Sequence, residues 1–153
     1  MFTLQPIATV KNDRLVVEDD QWGEVVSTIK FHPSINPVAL EGISSFSHLE
    51  IIFCFHLVED RHVQWEARHP RNNKEYPKVG IFAQRGKNRP NKLGVTTVKL
   101  LEHSSADELI VKGLDAINGT PIIDIKPVMK EFLPFENVTQ PEWVSDLMGR
   151  YWK

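Results

Sequence analysis

K-V-G-I-F-A-Q-R-G-K-N-R-P-N-K-L-G-V-T-T-V-K, residues 78–99, carries the densest information in the chain. Val79, Ile81, Phe82 and Ala83 make an apolar start, a polar run holding Arg85, Lys87 and Arg89 follows, and the hydrophobic pattern resumes at Leu93. That pattern describes a strand entering a basic loop and leaving it as a second strand. Gly80, Gly86 and Gly94 relieve crowding or supply unusual backbone angles, and Pro90 biases Arg89 toward extended geometry. Cations at alternate positions repel one another, so two readings stand. Either the loop gathers around an anionic or electron-rich ligand, or it is a solvated hairpin tip.

Working outward, the flanking segments are short and β-rich. Val95–Leu101 reads as a strand, Glu102–Asp107 as a turn, and Leu109–Leu114 as another strand. Asn118-Gly119 is the strongest short-range turn signal, and Pro121 opens I-I-D-I-K-P. There Asp124 and Lys126 share the face opposite Ile123 and Ile125, as an ion pair or a polar pocket wall. Before the loop, Leu49–Val58 is the most apolar strand candidate and the expected centre of the sheet. His56 near its end is either a neutral imidazole serving a ligand or a core histidine bonded to backbone. Leu4–Val10, Leu15–Glu18 and Val25–Phe31 add strands, with a turn at Asn12-Asp13, and Val38–Leu40 can make one helical turn. Trp22, beside Asp19 and Asp20, either caps the core or stacks on an aromatic ligand. Asn72–Pro77 reads as an exposed connection between two strands. Pro141 can open a helix whose Val144, Leu147, Met148 and Tyr151 share a face, packed over a barrel opening or a dimer seam.

About eight short strands with brief helical stretches predict a mainly β fold. The expected architecture is a single small β-barrel domain spanning residues 1–153, with short accessory helices and a C-terminal helix. No glycine-rich G-x-G-x-x-G turn joins a strand to a long helix, which argues against a doubly wound nucleotide-binding fold.

At 153 residues, with 41% apolar and 25% charged side chains, the composition is that of a globular domain. No run approaches the roughly 18 apolar residues of a membrane span, and the first residues lack a signal-peptide pattern, so a cytoplasmic protein with no membrane partner is expected. The lone Cys54 has no internal disulfide partner and reads as a buried small residue. No HExxH or EF-hand spacing is present and one cysteine excludes a zinc ribbon within the chain, so no metal site is expected. The net charge of -2 conceals a segregation. Arg68–Lys99 holds nine Lys or Arg against one acid, Glu75, while the remainder holds nine basic and nineteen acidic residues. A nearly neutral chain can therefore present a basic face to a phosphate-rich partner.

The motifs resemble those of the TsaA/TrmO-type methyltransferases. G-I-F-A-Q-R (80–85), R-P-N (89–91), Leu93-Gly94 and L-D-A-I-N-G-T-P-I-I-D-I-K-P (114–127) match that family in order, preceded by F-S-H-L (46–49) and F-C-F-H (53–56). The resemblance implies a compact, often dimeric β-barrel that binds S-adenosylmethionine and methylates N6 of threonylcarbamoyladenosine at tRNA position 37. It also implies a cofactor set of His56, Leu57, Arg85, Val95, Asp115, Ala116, Ile117 and Asn118, with Arg89 and Asn91 as a second tier. The expected partners are S-adenosylmethionine, tRNA and a second copy of the chain. The other readings are a cofactor-binding regulator or RNA-binding module without methyl transfer, and a methyltransferase for a non-tRNA substrate. His56 and Asp124 are acid/base candidates by type only, and no catalytic residue is assigned. The sequence departs from longer family members where Asp19–Gly23 stands in place of an F-G-x-P-R-Q-like segment. It also departs where a short predicted helix, rather than an extension that positions tRNA, follows the D-I-K-P block.

Overall fold

The computed structural model describes residues 1–153. Six strands close a barrel: β1 (Ala8–Lys11), β2 (Val26–Phe31), β3 (His48–Cys54), β6 (Leu93–Ser105), β7 (Glu108–Lys112) and β8 (Pro121–Pro127). Their order around the barrel is β1-β2-β7-β6-β3-β8, every neighbour antiparallel. Closure is made where Ala8 faces Ile122 and Thr9 faces Pro121. A two-stranded arm of β4 (Ala67–Arg68) and β5 (Val79–Gly80) stands outside, joined through the largely exposed residues 71–78.

Strict alternation builds the interior. Leu49, Ile51 and Phe53 of β3, Ile29 and Phe31 of β2, Leu109 and Val111 of β7 and Val98 of β6 all point inward and are buried. Each such side chain contributes about 1.5–3 kcal/mol by leaving water. Phe53 faces Gly94 across the β3–β6 ladder, and an ideal Cβ on Gly94 would lie 2.6 Å from the Phe53 ring and 2.9 Å from that of Phe55. Only glycine lets the edge-to-face pair Phe53–Phe55 occupy that space.

Several boundaries differ from those expected. Leu15–Glu18 forms no strand and its apolar side chains are exposed. Arg14 pairs with Glu18 at 2.5 Å and donates to the carbonyls of Asp20 and Gln21, so the chain curls around a guanidinium instead of extending. β3 stops at Cys54, because His56 N–H turns back to the Cys54 carbonyl at 2.8 Å, and His56 lies exposed beyond the strand rather than in an apolar setting. β6 runs to Ser105 through two irregularities, confining the expected turn to Ala106-Asp107. In β8 Ile122 pairs with Phe53 and Asp124 with Ile52, which leaves Ile123 as the extra, bulged residue between them. Ile122 and Ile125 therefore both serve the core, and Ile123 does not share the face of Ile125 in a regular alternation. Asp124 and Lys126 pair at 3.3 Å on the partly exposed outer face.

Pro37–Leu40 makes the expected helical turn, a 3-10 turn that is one of seven along the chain. Helix α1 (Glu142–Leu147) follows Pro141, and its end leads into a segment held against the barrel. Trp143 lies 6.2 Å from the Tyr76 ring, and Tyr151 is half-buried, so much of the apolar surface at this end is used within the chain. The larger exposed apolar surface is Phe132, Leu133, Phe135 and Val138, beside a groove of about 250 Å³ reaching Glu50 and Lys126. No helix is long and apolar enough to cross a membrane.

Candidate cofactor and nucleic-acid site at the barrel rim

The basic loop is fastened at several points. Gln84 donates its amide to the carbonyls of Val79 at 2.8 Å and Arg68 at 3.0 Å, and the Gln64 N–H binds the Asn88 carbonyl at 3.0 Å. Arg89 donates from Nη1 to the carbonyls of Gln84 at 2.8 Å and Gly86 at 3.4 Å, which makes it a loop anchor. Asn91 and Lys92 turn the chain with φ of 63° and 52°, a region asparagine tolerates better than most residues. Lys92 then meets Asp60 at 2.5 Å, and that hydrogen bond and charge hold the Asp60 carboxyl below its ordinary range.

Arg85 is different. It is exposed and donates from Nη2 to the Val95 carbonyl at 2.5 Å, leaving most of a five-donor guanidinium open. Next to Val95 along β6, Thr96 points inward and gives its hydroxyl to one oxygen of Asp115. The hydroxyl of Tyr151 binds the other oxygen. Burial first, and then the Asp115 charge and hydrogen bond, push the Tyr151 phenol far above its ordinary range. Arg85 and Arg71 lie close enough for their charges to oppose that shift. Five side chains from remote parts of the sequence thus share one rim: Arg71, Arg85, Thr96, Asp115 and Tyr151.

The other expected cofactor residues divide into two groups. His56 and Leu57, both exposed, follow β3 where Phe55 N–H binds the Lys92 carbonyl, which brings them beside Asn91 and the start of β6. Ala116, Ile117 and Asn118 lead away toward β1. The Ala116 methyl is buried in the core and its carbonyl accepts from Asn12 Nδ2 at 2.8 Å. Asn118 binds the Asn12 N–H at 3.1 Å and lines an open cleft of about 610 Å³ with Thr9, Lys11 and Thr28. Trp22 is 3% exposed beneath the Arg14 guanidinium, 4.0 Å from its ring centre. It closes the core and offers no face to a ligand.

Among the nine cations between Arg68 and Lys99, Arg71 pairs with Asp20 at 2.9 Å and Lys92 with Asp60, while the others form no ion pair. Beside them Trp65 and Phe82 are 73% and 77% exposed. Both lie just beyond the β4–β5 arm, whose end is marked by the bond from Ile81 N–H to the Glu66 carbonyl at 2.8 Å.

The family model for the tRNA-methyltransferase O N-terminal domain matches residues 18–132, which takes in β2 through β8 and the rim residues Arg71, Arg85, Thr96 and Asp115, while Tyr151 lies beyond the match. The chain belongs to this family. Among its relatives, the tRNA (adenine(37)-N6)-methyltransferase of Homo sapiens is 36% identical over 103 residues, covering 67% of this chain and 23% of the human protein. A Pyrococcus abyssi protein named as a probable S-adenosyl-L-methionine-binding protein is 34% identical over 115 residues, covering 75% of this chain and 59% of its own. The crystal structure of TrmO from Pseudomonas aeruginosa superposes with a TM-score of 0.66 at 28% identity, over 86% of this chain and 57% of that one. The chain therefore spans less than two thirds of the length of each of these relatives.

Sequence reasoning missed Thr96 and Tyr151. Thr96 had a detectable signal, a hydroxyl alternating with Val98 on the inward face of a strand. Tyr151 had none, because its partner lies 36 residues away with β8 and α1 between them.

Proposed function

We propose that the chain is an S-adenosylmethionine-dependent methyltransferase domain acting on N6 of a modified adenosine, threonylcarbamoyladenosine, at tRNA position 37. The observation that carries this reading is a family match that runs through β2–β8 and includes Arg85, Val95 and Asp115. The side chains at the rim suit the cofactor by type. Arg85 offers an open fork for a carboxylate, Asp115 accepts from hydroxyl or ammonium donors, and the exposed Leu57 and Val95 supply apolar surface for a heterocycle. When bound, the cofactor supplies a methyl group activated by a sulfonium. The protein's task is then to align acceptor and donor, so orientation and fixed polar groups count for more than a strong base. Arg89 holds the loop, Thr96 and Tyr151 hold Asp115, and the unpaired lysines at positions 74, 78 and 87 attract phosphates over longer range. Trp65 and Phe82 offer faces on which unpaired bases can stack.

The same reading includes a homodimer, because the apolar stretch at residues 132–138 is exposed in the single chain and a second copy would cover it. Sedimentation at catalytic concentration should give a dimer mass, and a monomer with full activity on dilution would reject this part. A cytoplasmic location is proposed on the strength of the tRNA substrate. A second reading is a cofactor-binding regulator without methyl transfer, and the name of the Pyrococcus abyssi relative, which states cofactor binding alone, fits it as well as it fits an enzyme. Calorimetry with S-adenosylmethionine, paired with mass spectrometry of tRNA nucleosides from cells with and without the gene, separates the two. Binding with loss of the methylated nucleoside supports the enzyme. Binding without any change in nucleosides supports the regulator, and no binding by folded protein at millimolar cofactor defeats both.

A further inference from the structure

We propose that Tyr151 is a positioning residue of the cofactor site, acting through Asp115, and that Arg150–Trp152 is strapped to Gln21–Gly23 in order to deliver it. This rests on the reading that Asp115 binds S-adenosylmethionine. The strap is a run of backbone bonds. Gln21 N–H donates to the Arg150 carbonyl at 3.1 Å, Trp22 N–H to that of Tyr151 at 2.8 Å, and Gly23 N–H to that of Trp152 at 3.1 Å. An ideal Cβ at Gly23 would sit 2.0 Å from the Trp152 carbonyl oxygen, so the two backbones approach as only glycine allows. One side of the strap is anchored by the buried Trp22 under Arg14, and the other by Tyr151 packed edge-on against Trp152 with ring centres 4.8 Å apart. What this construction places is a phenolic hydroxyl on Asp115.

An aspartate side chain in the connection after β7 would otherwise rotate. Thr96 and Tyr151 each take one carboxylate oxygen, from β6 and from the strap, and so fix its plane. A carboxylate has roughly four acceptor positions, so both oxygens retain capacity for a ligand's donors. Because the phenol is held protonated, Tyr151 remains a donor throughout the ordinary pH range. Arg85, which carries the open guanidinium, reaches the same rim through Val95, next to Thr96. The strap begins at Gln21, within Asp19–Gly23, where longer family members are expected to carry another cofactor segment. Here that segment contributes by holding Tyr151 in place.

The test uses Tyr151→Phe, which keeps the ring and removes the hydroxyl, together with Asp115→Asn and the double variant. Calorimetry with S-adenosylmethionine should show Tyr151→Phe weakening affinity about ten- to hundredfold, the scale of one hydrogen bond to a charged group. It should add nothing once Asp115→Asn is present, since Tyr151 acts through that carboxylate. In the wild-type protein, saturating cofactor should slow hydrogen exchange at the Trp22 and Gly23 amides, a readout that does not depend on any variant folding. A purely structural Tyr151 would lower the melting temperature while leaving affinity unchanged. Unchanged affinity, a loss that adds in full to that of Asp115→Asn, or exchange at Trp22 and Gly23 indifferent to cofactor would each overturn the role given to Tyr151. A folded wild-type protein that binds no cofactor would instead remove the underlying site reading.

Discussion

The guanidinium of Arg14 lies 4.0 Å from the centre of the Trp22 ring, and this contact fixes the segment that replaces the expected second strand. Arg14 also reaches Glu18 and the carbonyls of Asp20 and Gln21, spending its planar fork on three directions at once. Lysine keeps the charge but cannot reproduce the stack or the paired bonds. Arg14→Lys should therefore cost about 1–3 kcal/mol in urea unfolding. An unchanged midpoint would show that the turn is held by its backbone alone.

Gly94→Ala tests the barrel interior. The added methyl meets the rings of Phe53 and Phe55 within 2.6–2.9 Å, and both rings are already engaged with each other edge to face. Overpacking of this kind should cost about 1–3 kcal/mol. Phe55→Leu in the same chain should restore part of that loss, read as a rise in melting temperature relative to Gly94→Ala.

The two tyrosines give a clean pH experiment. Tyr76 is raised by its hydrogen bond to Asp146, and Tyr151 by burial beside Asp115. Each binds its proton more tightly when folded than when unfolded, so its contribution is complete below the unfolded value near 10 and declines as pH rises above it. Native protein should show little tyrosinate absorbance at pH 10, and stability should fall with pH from there. Tyr151→Phe should flatten that slope. Ordinary titration of both tyrosines near 10 in folded protein would contradict the placement of their hydroxyls.

Arg85→Ala should reduce S-adenosylmethionine affinity about tenfold or more, and saturating RNA should not rescue turnover, since RNA cannot replace a charged partner of the cofactor. Arg89→Ala should act differently. Its guanidinium is spent on the Gln84 and Gly86 carbonyls, so the expected result is greater proteolytic sensitivity of the loop together with weaker binding. Normal cofactor affinity and normal saturated turnover for Arg85→Ala would exclude it from the site.

Replacing Lys74, Lys78 and Lys87 together by Ala should weaken tRNA binding across sequences and lower the slope of log affinity against log salt by about two to three, one counterion release per lost phosphate contact. Cofactor affinity should be unchanged. An unaltered slope would mean that these lysines face solvent away from the RNA.

How far the sequence could be read depended on the range of the forces involved. Leu49, Ile51 and Phe53 announce their strand because alternation is local, and Asn118-Gly119 announces its turn because Gly119 must adopt a φ of 87°. The β8 bulge was not legible, since whether Ile122 or Ile123 turns inward depends on the step opposite, between Ile52 and Phe53. Val16 and Val17 read as strand by propensity, yet Arg14 overrides them through contacts that a linear pattern does not reveal. In the candidate site, the basic loop was conspicuous in sequence. The Thr96–Asp115–Tyr151 junction became visible only when β6, the turn after β7 and the strap were brought together.

Barrel closure also has a consequence in time. β1 and β2 pair with each other, but their outer edges are covered only by β8 and β7, whose residues lie from Glu108 onward. During ribosomal synthesis the first quarter of the chain therefore emerges with two unsatisfied edges and must wait for about eighty more residues, roughly 4–16 seconds at ordinary elongation rates. Val10, Ile29 and Phe31 remain accessible for that interval. Nascent chains stalled before residue 108 should accordingly be captured by a hydrophobic-segment chaperone, and chains stalled well past residue 127 should be released from it.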